Sequence, residues 1–387
     1  MRRPICRKLG VWCLRLIFVS LVVFVASAFK FSLAVGAQAP FITTWKTDIS
    51  GSSDDNQITI PTIGDGYDYY VSWVELDNPE NHGEDGPFAG DATITFPTAG
   101  TYEVRISGDF PRIYFVNAGD KQKILTIEQW GDIAWASMEY AFHGASNLTY
   151  NATDTPNLSN VTSLEGMFAQ ATSFNGNIGA WDVSNVTNIL GMFANAHSFN
   201  QDIGDWDVGN VTNMEYMFSN ARAFDQDLND WDVGNVTNME YMFYNAKAFD
   251  QDLSAWDVSN VTNMRYMFAG AVLFNGDIGD WNVGNVTNME HMFEDASAFD
   301  QDIGRWDVSN VTNMNYMFSN ARAFNQDLSQ WNVSNVTSMG SMFERAVSFD
   351  QNLGTWDVGN VTSMASMFSS SLSRENYDAT LILDFSA

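Results

Sequence analysis

Tryptophan recurs at one fixed interval along most of the chain, and this spacing restricts the fold more than any other feature. Successive residues are 25 apart at Trp181, Trp206, Trp231, Trp256, Trp281, Trp306, Trp331 and Trp356. Two degenerate units precede them, one starting at Trp130 and one with Pro156 in the tryptophan position. A unit this short cannot bury its own apolar side chains, so consecutive units must stack and share one interior. We expect ten stacked coils over residues 129–371, closed by a C-terminal cap over residues 372–387.

Apolar residues within one unit, residues 206–230, follow a helical period. They recur at steps of three, three, one and three residues: Val211, Met214, Met217, Phe218 and Ala221. This spacing lines one face of a helix. Thr212 followed three residues later by Glu215 has the pattern of a capping box, which marks a helix start. Each coil is therefore predicted to contain a helix of about eight to ten residues.

The other half of the unit, residues 228–235, alternates between apolar and polar side chains. Trp231 and Val233 occupy inward positions and Asp232 faces outward between them, which is the period of a β-strand. The segment also resembles the leucine-rich repeat consensus, with Leu228, Trp231 and Val233 in the apolar positions and Asn235 as the ladder asparagine. One short parallel strand and one short helix per coil predict an α/β solenoid that is leucine-rich-repeat-like.

Residues 38–128 show strand patterns with turn residues between them. The segments are Gln57–Ile60, Tyr69–Val74, Ala92–Phe96 and Thr101–Ile106. Alternation on both sides of Ala99-Gly100 predicts a hairpin. We expect a small all-β sandwich domain here, and the stretch from Phe96 to Val104 resembles the last hairpin of a PKD-type domain.

The first 37 residues have the composition of an export signal. Basic residues precede an apolar run from Leu16 to Phe29, and Val35-Gly36-Ala37 provides the small residues that a signal peptidase needs. A retained anchor is the alternative interpretation. Both cysteines, Cys6 and Cys13, lie in this segment, so the mature chain would contain no thiol.

The charge of the chain restricts the partners it can have. The formal net charge is −29, and without residues 1–37 the count is 47 acidic against 12 basic residues, that is −35. We therefore expect no nucleic-acid partner, because such an acidic surface repels phosphate groups. We also expect no contact with a membrane apart from the signal segment. Divalent cations and basic partners suit this surface better.

The repeat has a recognisable consensus. Residues 206–228 read Trp-Asp-Val-Gly-Asn-Val-Thr-Asn-Met-Glu-Tyr-Met-Phe-Ser-Asn-Ala-Arg-Ala-Phe-Asp-Gln-Asp-Leu. This pattern resembles the 25–26-residue repeat of BspA-like bacterial surface proteins, and the resemblance extends roughly from Trp130 to Phe368. It implies a secreted or surface-displayed protein with a leucine-rich-repeat-like solenoid and a link to adhesion. It implies no enzyme activity.

Acidic side chains recur on the expected outer surface of the coils. Six aspartates lie between the inward tryptophan and valine: Asp182, Asp207, Asp232, Asp257, Asp307 and Asp357. Stacked in a column, these like charges would repel one another, and Ca²⁺ could relieve the repulsion. Solvated carboxylates or hydrogen bonding to the adjacent turn is the alternative interpretation. No other cofactor is expected.

The sequence favours a non-catalytic binding or adhesion module that acts through the sheet face of the solenoid. Candidate binding residues are Asp205, Asp207, Asp230, Asp232, Asp257, Asp280, Arg305 and Asp307. The expected ligand is an extracellular protein or polysaccharide at a bacterial cell surface. A purely structural acidic spacer or surface-layer component is the alternative. A polysaccharide-active enzyme is less favoured, because the four histidines occupy unrelated positions.

Overall fold

Strands form in the N-terminal part of the chain, where apolar and polar side chains alternate. The computed structural model describes residues 38–368 and 372–376. The strands in these residues are β1 (Phe41–Lys46), β2 (Gln57–Ile60), β3 (Asp68–Glu75), β4 (His82–Phe88), β5 (Ala92–Thr95), β6 (Thr101–Asp109), β7 (Ile124–Gln129) and β8 (Thr149–Tyr150). They form a six-stranded sheet of order β4-β3-β6-β1-β7-β8 and a two-stranded sheet, β2-β5. The four strand segments expected from the sequence are present as β2, β3, β5 and β6.

The prediction of a hairpin across Ala99-Gly100 is wrong, because the strands before and after these residues belong to different sheets. β5 pairs with β2, with Ile94 opposite Ile58, whereas β6 pairs with β1 and β3. Phe96, just after β5, stacks on Tyr102 of β6 with ring centroids 4.0 Å apart. The apolar side chains of the two sheets therefore meet in one core.

The prediction of a helix in each coil is also wrong, because the segment with the helical apolar period folds into consecutive tight turns. In residues 206–230, the Met217 N–H donates to the carbonyl of Met214 at 3.2 Å, three residues back and not four as in an α-helix. Tyr216 and Asn220 have φ angles of +58° and +57°. Left-handed residues cannot continue a right-handed helix. A run of tight turns directs the same side chains inward as an α-helix does. The apolar period therefore could not distinguish a helix from consecutive turns.

Alternate amides of this segment bond to the next repeat. The Tyr216 N–H donates to the carbonyl of Glu240 at 3.0 Å, and the Phe218 N–H donates to the carbonyl of Met242 at 2.9 Å. Parallel bridges pass through one position of each repeat: Ser163, Asn188, Asn213, Asn238, Asn263, Asn288, Asn313, Ser338 and Ser363. The half of the unit expected to be helical thus carries the parallel pairing between repeats.

In the described repeats from Trp181 onward, the half of the unit expected to form a strand contains none. The Trp231 N–H donates to the carbonyl of Leu228 at 3.1 Å, and the Val236 N–H to the carbonyl of Val233 at 2.9 Å, which makes two tight turns. Trp231 and Val233 nevertheless point inward as predicted. Of the described residues, only 374–376 are helical. The prediction of an α/β, leucine-rich-repeat-like solenoid with a strand and a helix per coil is therefore wrong, and the described chain is nearly all-β with turn-built repeats.

Two polar side chains of most repeats bond to the preceding repeat. Asn235 Nδ2 donates to the carbonyl of Gly209 at 2.7 Å, and Thr237 Oγ1 donates to the carbonyl of Thr212 at 3.3 Å. The ladder role predicted for the asparagine is confirmed. The threonine was expected to cap a helix, and it bonds to the neighbouring repeat instead.

Aromatic and methionine side chains of successive repeats fill a continuous interior. Phe218 stacks on Phe243 with ring centroids 5.5 Å apart, and Trp256 stacks on Trp281 at 6.2 Å. The eight tryptophans at the 25-residue interval are only 2–4% exposed, so their predicted inward orientation is confirmed. Burial of one such side chain stabilises the fold by about 1.5–3 kcal/mol, and here each repeat supplies the burial of its neighbour.

The strands and the first repeats share this interior. β7 pairs in parallel with β8, with Thr126 opposite Thr149. Trp130 stacks on Phe41 of β1 at 5.5 Å and meets Trp181 edge-on at 5.4 Å. The described residues from Gln38 onward belong to one compact unit. The domain boundary expected between residues 128 and 129 stays a prediction.

Two expected segments fall largely outside the described residues. They are the signal segment, residues 1–37, and residues 377–387 of the C-terminal cap. At the start of that cap, the Ser373 N–H donates to Asp350 Oδ1 and Asn376 Nδ2 to the carbonyl of Asp350, both at 2.7 Å. Within the described ranges there is no helix long and apolar enough to cross a membrane.

Candidate functional site

The aspartates considered as calcium ligands each close a turn of their own repeat. All six are exposed: Asp182, Asp207, Asp232, Asp257, Asp307 and Asp357. Asp257 is typical, because its Oδ1 accepts the Ser259 N–H at 3.0 Å. Hydrogen bonds from Ser259 lower the pKa of Asp257. No group of three or more His, Cys, Asp or Glu side chains in residues 38–368 and 372–376 is placed to hold a metal ion. Turn hydrogen bonds account for the position of these aspartates, and calcium binding by them stays a prediction.

The residues considered as a binding face are exposed, but they do not lie on a sheet. They are Asp205, Asp207, Asp230, Asp232, Asp257, Asp280, Arg305 and Asp307. The prediction that these residues lie on a sheet face is wrong, because this half of each repeat consists of turns. Ligand binding by this surface stays a prediction.

A column of aromatic rings lies on another surface of the array, across five consecutive repeats. Its members are Tyr216, Tyr241, Tyr266, His291 and Tyr316. Neighbouring rings are nearly parallel, with centroids 4.7, 4.5, 4.1 and 4.6 Å apart in that order. Unlike the buried Phe and Trp columns, these rings are partly exposed, and Tyr316 is 38% exposed. We refer to these five residues as the ring ladder.

The backbone at the ring ladder is unfavourable for aromatic residues. All five have φ angles of +57° or +58°, a conformation that costs a residue with a side chain roughly 1–2 kcal/mol. Glycine occupies the equivalent position in two earlier repeats, as Gly166 and Gly191, and serine occupies it in two later ones, as Ser341 and Ser366. The repeat therefore forms without a ring, and the ladder is a property of the central repeats.

Charged side chains run beside the ring ladder. The residues that directly precede its rings are Glu215, Glu240, Arg265, Glu290 and Asn315. Arg265 Nε donates to Glu290 Oε2 at 2.7 Å, and its NH1 group donates to Glu240 Oε1 at 3.1 Å. The guanidinium lies over Tyr266, 4.6 Å from the ring centroid. Two carboxylates from the flanking repeats and one ring thus hold a single guanidinium group.

The electrostatics of this stripe are dominated by carboxylates. Burial, and then the charge of Glu240, raise the pKa of Glu215, which has no cationic partner among the described residues. Burial would lower the pKa of Arg265, but its hydrogen bonds to Glu290 and Glu240 outweigh this and raise it. Burial, with a further contribution from Tyr241, raises the pKa of Tyr266 to about 12. The stripe therefore has negative charge that its single arginine does not neutralise.

Sequence reasoning missed this site, although a signal for it was present. Of the two residues before the second methionine of each repeat, the first was assigned to a helix-capping box and the second was given no role. One of them is Tyr, Tyr, Tyr, His and Tyr in five successive repeats, and the other is acidic in three of the same five. An aromatic residue that recurs outside the apolar period predicts a ring on the surface.

Comparison with known proteins identifies the repeats. The family described as "Mycoplasma protein of unknown function, DUF285" matches residues 136–256, 225–321 and 280–379. These overlapping segments include the whole ring ladder. No curated protein and no solved structure matches the chain.

Proposed function

We propose that this chain, which belongs to the DUF285 family, is a non-catalytic binding module whose ring ladder binds basic side chains of a partner protein. The observation that carries the proposal is the environment of Arg265. Its guanidinium is held by Glu240 and Glu290 and stacked on Tyr266. Arg265 thus shows, within the chain itself, how the ring ladder and its neighbouring carboxylates can bind a guanidinium group.

The chemistry of this environment favours arginine in particular. A guanidinium is planar, so it can bond to carboxylates and stack on a ring at the same time, which a lysine ammonium cannot do. A cation over an aromatic ring gains about 0.5–1 kcal/mol at exposed sites. Tyr216, Tyr241 and Glu215 provide the same kinds of groups one repeat earlier, and no arginine among the described residues forms an ion pair with Glu215. The net charge of −29 attracts a basic partner to the array.

A stiff acidic spacer that recognises nothing is the rival function. The continuous interior and the bonds between repeats suit a rigid rod, and the ring ladder would then only stabilise the stack. Each stacked aromatic pair contributes about 0.5–1.5 kcal/mol, which offsets part of the cost of the left-handed backbone. The two functions differ in whether the partly exposed rings contribute to binding.

A peptide-binding experiment separates these functions. The ring variant of the full chain replaces each ladder residue with the serine that later repeats carry: Tyr216→Ser, Tyr241→Ser, Tyr266→Ser, His291→Ser and Tyr316→Ser. It keeps every carboxylate. We expect the wild-type chain to bind a short arginine peptide more tightly than a lysine peptide of equal length. The ring variant should lose about tenfold in affinity for the arginine peptide, since several cation–ring contacts disappear. Fluorescence anisotropy at physiological salt measures both.

The matched control removes charge elsewhere on the array. Asp207→Asn, Asp232→Asn and Asp257→Asn together delete three carboxylates from the turn surface and leave the ladder intact. This control should reduce binding less than the ring variant does. Equal affinity of the ring variant and the wild type, or a larger loss in the aspartate variant, would show general charge attraction only and would favour the spacer.

We propose in addition that the chain is secreted or displayed at a bacterial cell surface. Support comes from the basic and apolar composition of residues 1–37 and from the resemblance of the repeats to BspA-like surface proteins. N-terminal sequencing of the protein from its native host is the test. A mature chain that begins after Ala37 is the expected result, and a protein found inside the cell with residues 1–37 intact contradicts it.

A further inference from the structure

A polar cavity of about 470 Å³ lies where the segment between β6 and β7 meets the first three repeats. Asn117, Lys121 and Gln122 of that segment form one wall, and residues of the repeats, among them Gln170 and His197, form the other. The volume falls in the range of small-molecule sites. The ring ladder contributes none of its residues to this cavity.

The wall formed by residues 117–122 is fixed against the first repeat. The Asn117 N–H donates to the carbonyl of His143 at 3.0 Å. Lys121 Nζ donates to the carbonyl and to Oδ1 of Asn117 at 2.6 and 2.5 Å. A Cβ atom at Gly144, where φ is +83°, would lie only 2.3 Å from Asn117 Oδ1. Glycine at this position therefore permits the close approach of residues 117–122 that forms one side of the cavity.

The backbone at the edge of the cavity is strained. Val116 and Asn117 have φ angles of +43° and +61°, and a β-branched residue such as valine rarely adopts the left-handed region. Strain of this kind persists where surrounding contacts impose it, and it concentrates at ligand sites. The Val116 N–H is bonded to the carbonyl of Tyr140 at 3.3 Å, so docking on the first repeat imposes the conformation.

The lining of the cavity differs in charge from the rest of the molecule. None of its nine residues is acidic, although the chain has 47 acidic residues. Lys121 uses two of its three ammonium hydrogens on Asn117, so one remains for a ligand. His143 bonds through Nε2 to Gln170 of the wall at 3.1 Å, and its buried Nδ1 has no hydrogen-bond partner in the described structure.

We infer that this cavity binds an acidic sugar unit, that is, a hydroxyl-rich ring that carries a carboxylate or a sulfate. The ammonium of Lys121 and the imidazole of His197 supply donors for the anionic group. The amides of Gln122 and Asn195 both donate and accept hydrogen bonds, as sugar hydroxyls require. The ligand differs in charge and in size from the basic partner proposed for the ring ladder, and the two sites are independent.

Calorimetric titration of the full chain with D-glucuronate, glucose 6-sulfate and glucose tests the inference. We expect saturable binding of the two acidic sugars and at least tenfold weaker binding of glucose, because a charge-assisted hydrogen bond is about twice as strong as a neutral one. His197→Glu places a carboxylate in the cavity and should weaken glucuronate binding at least tenfold. The fold tolerates change at this position, since later repeats have Arg222, Lys247 and Val272 there.

Two controls keep the outcome interpretable. Lys247→Glu introduces a carboxylate at the equivalent position two repeats beyond the cavity, with a larger charge change, and should leave glucuronate affinity unchanged. The ring variant should also keep glucuronate binding, which separates failure of this site from failure of the ring ladder. Equal binding of glucose and glucuronate, the absence of saturable binding, or unchanged affinity in His197→Glu would each overturn the inference.

Discussion

At the scale of single residues, the first ring of the ladder has no aromatic neighbour on one side because the preceding repeat has Gly191. A Cβ atom at Gly191 would meet nothing closer than Ala194 Cβ at 3.8 Å and Tyr216 Cβ at 3.9 Å. Its φ of +58° equals that of Tyr216. We therefore expect Gly191→Tyr to extend the ladder, with a change in the free energy of unfolding within about 1 kcal/mol, since stacking offsets backbone strain. Urea denaturation measures this change.

The equivalent glycine one repeat earlier provides the matched control. A Cβ atom at Gly166 would lie 2.5 Å from Cδ1 of Tyr140, whose ring already covers this position. Gly166→Tyr should lower the free energy of unfolding by roughly 3 kcal/mol, as overpacking does. Equal effects of the two substitutions would mean that the ring positions are not those described here.

A buried carboxylate in the N-terminal part makes stability depend on pH. Asp120 is 1% exposed and accepts N–H bonds from Ser53 at 3.0 Å and Thr59 at 2.6 Å. Burial opposes its ionisation, but hydrogen bonds from Ser53 and Thr59 outweigh burial and lower its pKa. A lowered folded-state pKa stabilises the fold at neutral pH, and this contribution is lost as the pH falls through that pKa.

The corresponding variant is Asp120→Asn. It should lower the free energy of unfolding at neutral pH by about 3 kcal/mol, because the bonds to a charged acceptor are weakened. Below the folded-state pKa, where Asp120 itself is protonated, the difference from wild type should shrink. Denaturation at several pH values measures it, and a difference that does not vary with pH contradicts the assigned role.

Residue identity alone predicted much of the interior and little of the backbone. Inward Trp231 and the ladder role of Asn235 followed from spacing, because burial and repeat stacking leave few other solutions. Each central repeat has left-handed residues at two positions, those of Tyr216 and Asn220. Only the second could be predicted from residue type, because Asn220 and its equivalent Gly270 are of types that favour a positive φ. Tyr216 gave no such signal, since tyrosine has no preference for a positive φ.

At the scale of elements, the strands of the N-terminal part were predictable and their pairing was not. Alternation located β3 and β6 because each has one buried face. The assignment of β5 to a sheet other than that of β6 depends on contacts distant in sequence, such as the packing of Phe96 on Tyr102. Local turn patterns contain no information about these contacts.

The absence of helices from the repeats can be tested directly. Far-ultraviolet circular dichroism of the full chain should lack the paired minima of α-helix, because alternate amides bond to the next repeat and the others close turns. A helix of about eight to ten residues in each of ten repeats would instead give a strong helical signal. Such a signal would contradict the turn-built repeat.

At the scale of the whole molecule, stability arises between repeats rather than within them. Repeats that contact only their neighbours form a one-dimensional system, in which a central unit has two interfaces and a terminal unit has one. The polar cavity also belongs to this scale, because it exists only where residues 117–122 dock on three stacked repeats. No pattern within a single repeat predicted it.

A comparison of two tryptophan substitutions measures most directly whether the repeats share one interior. Trp256 stacks on Trp281 at 6.2 Å, and its indole N–H donates to the carbonyl of Leu228 at 2.8 Å. Trp356 is the last tryptophan of the array and stacks on Trp331 at 6.4 Å. Trp256→Ala should lower the free energy of unfolding by roughly 3–5 kcal/mol and Trp356→Ala by clearly less. Equal losses for the two variants would show that each repeat buries its own tryptophan, and would contradict a shared interior.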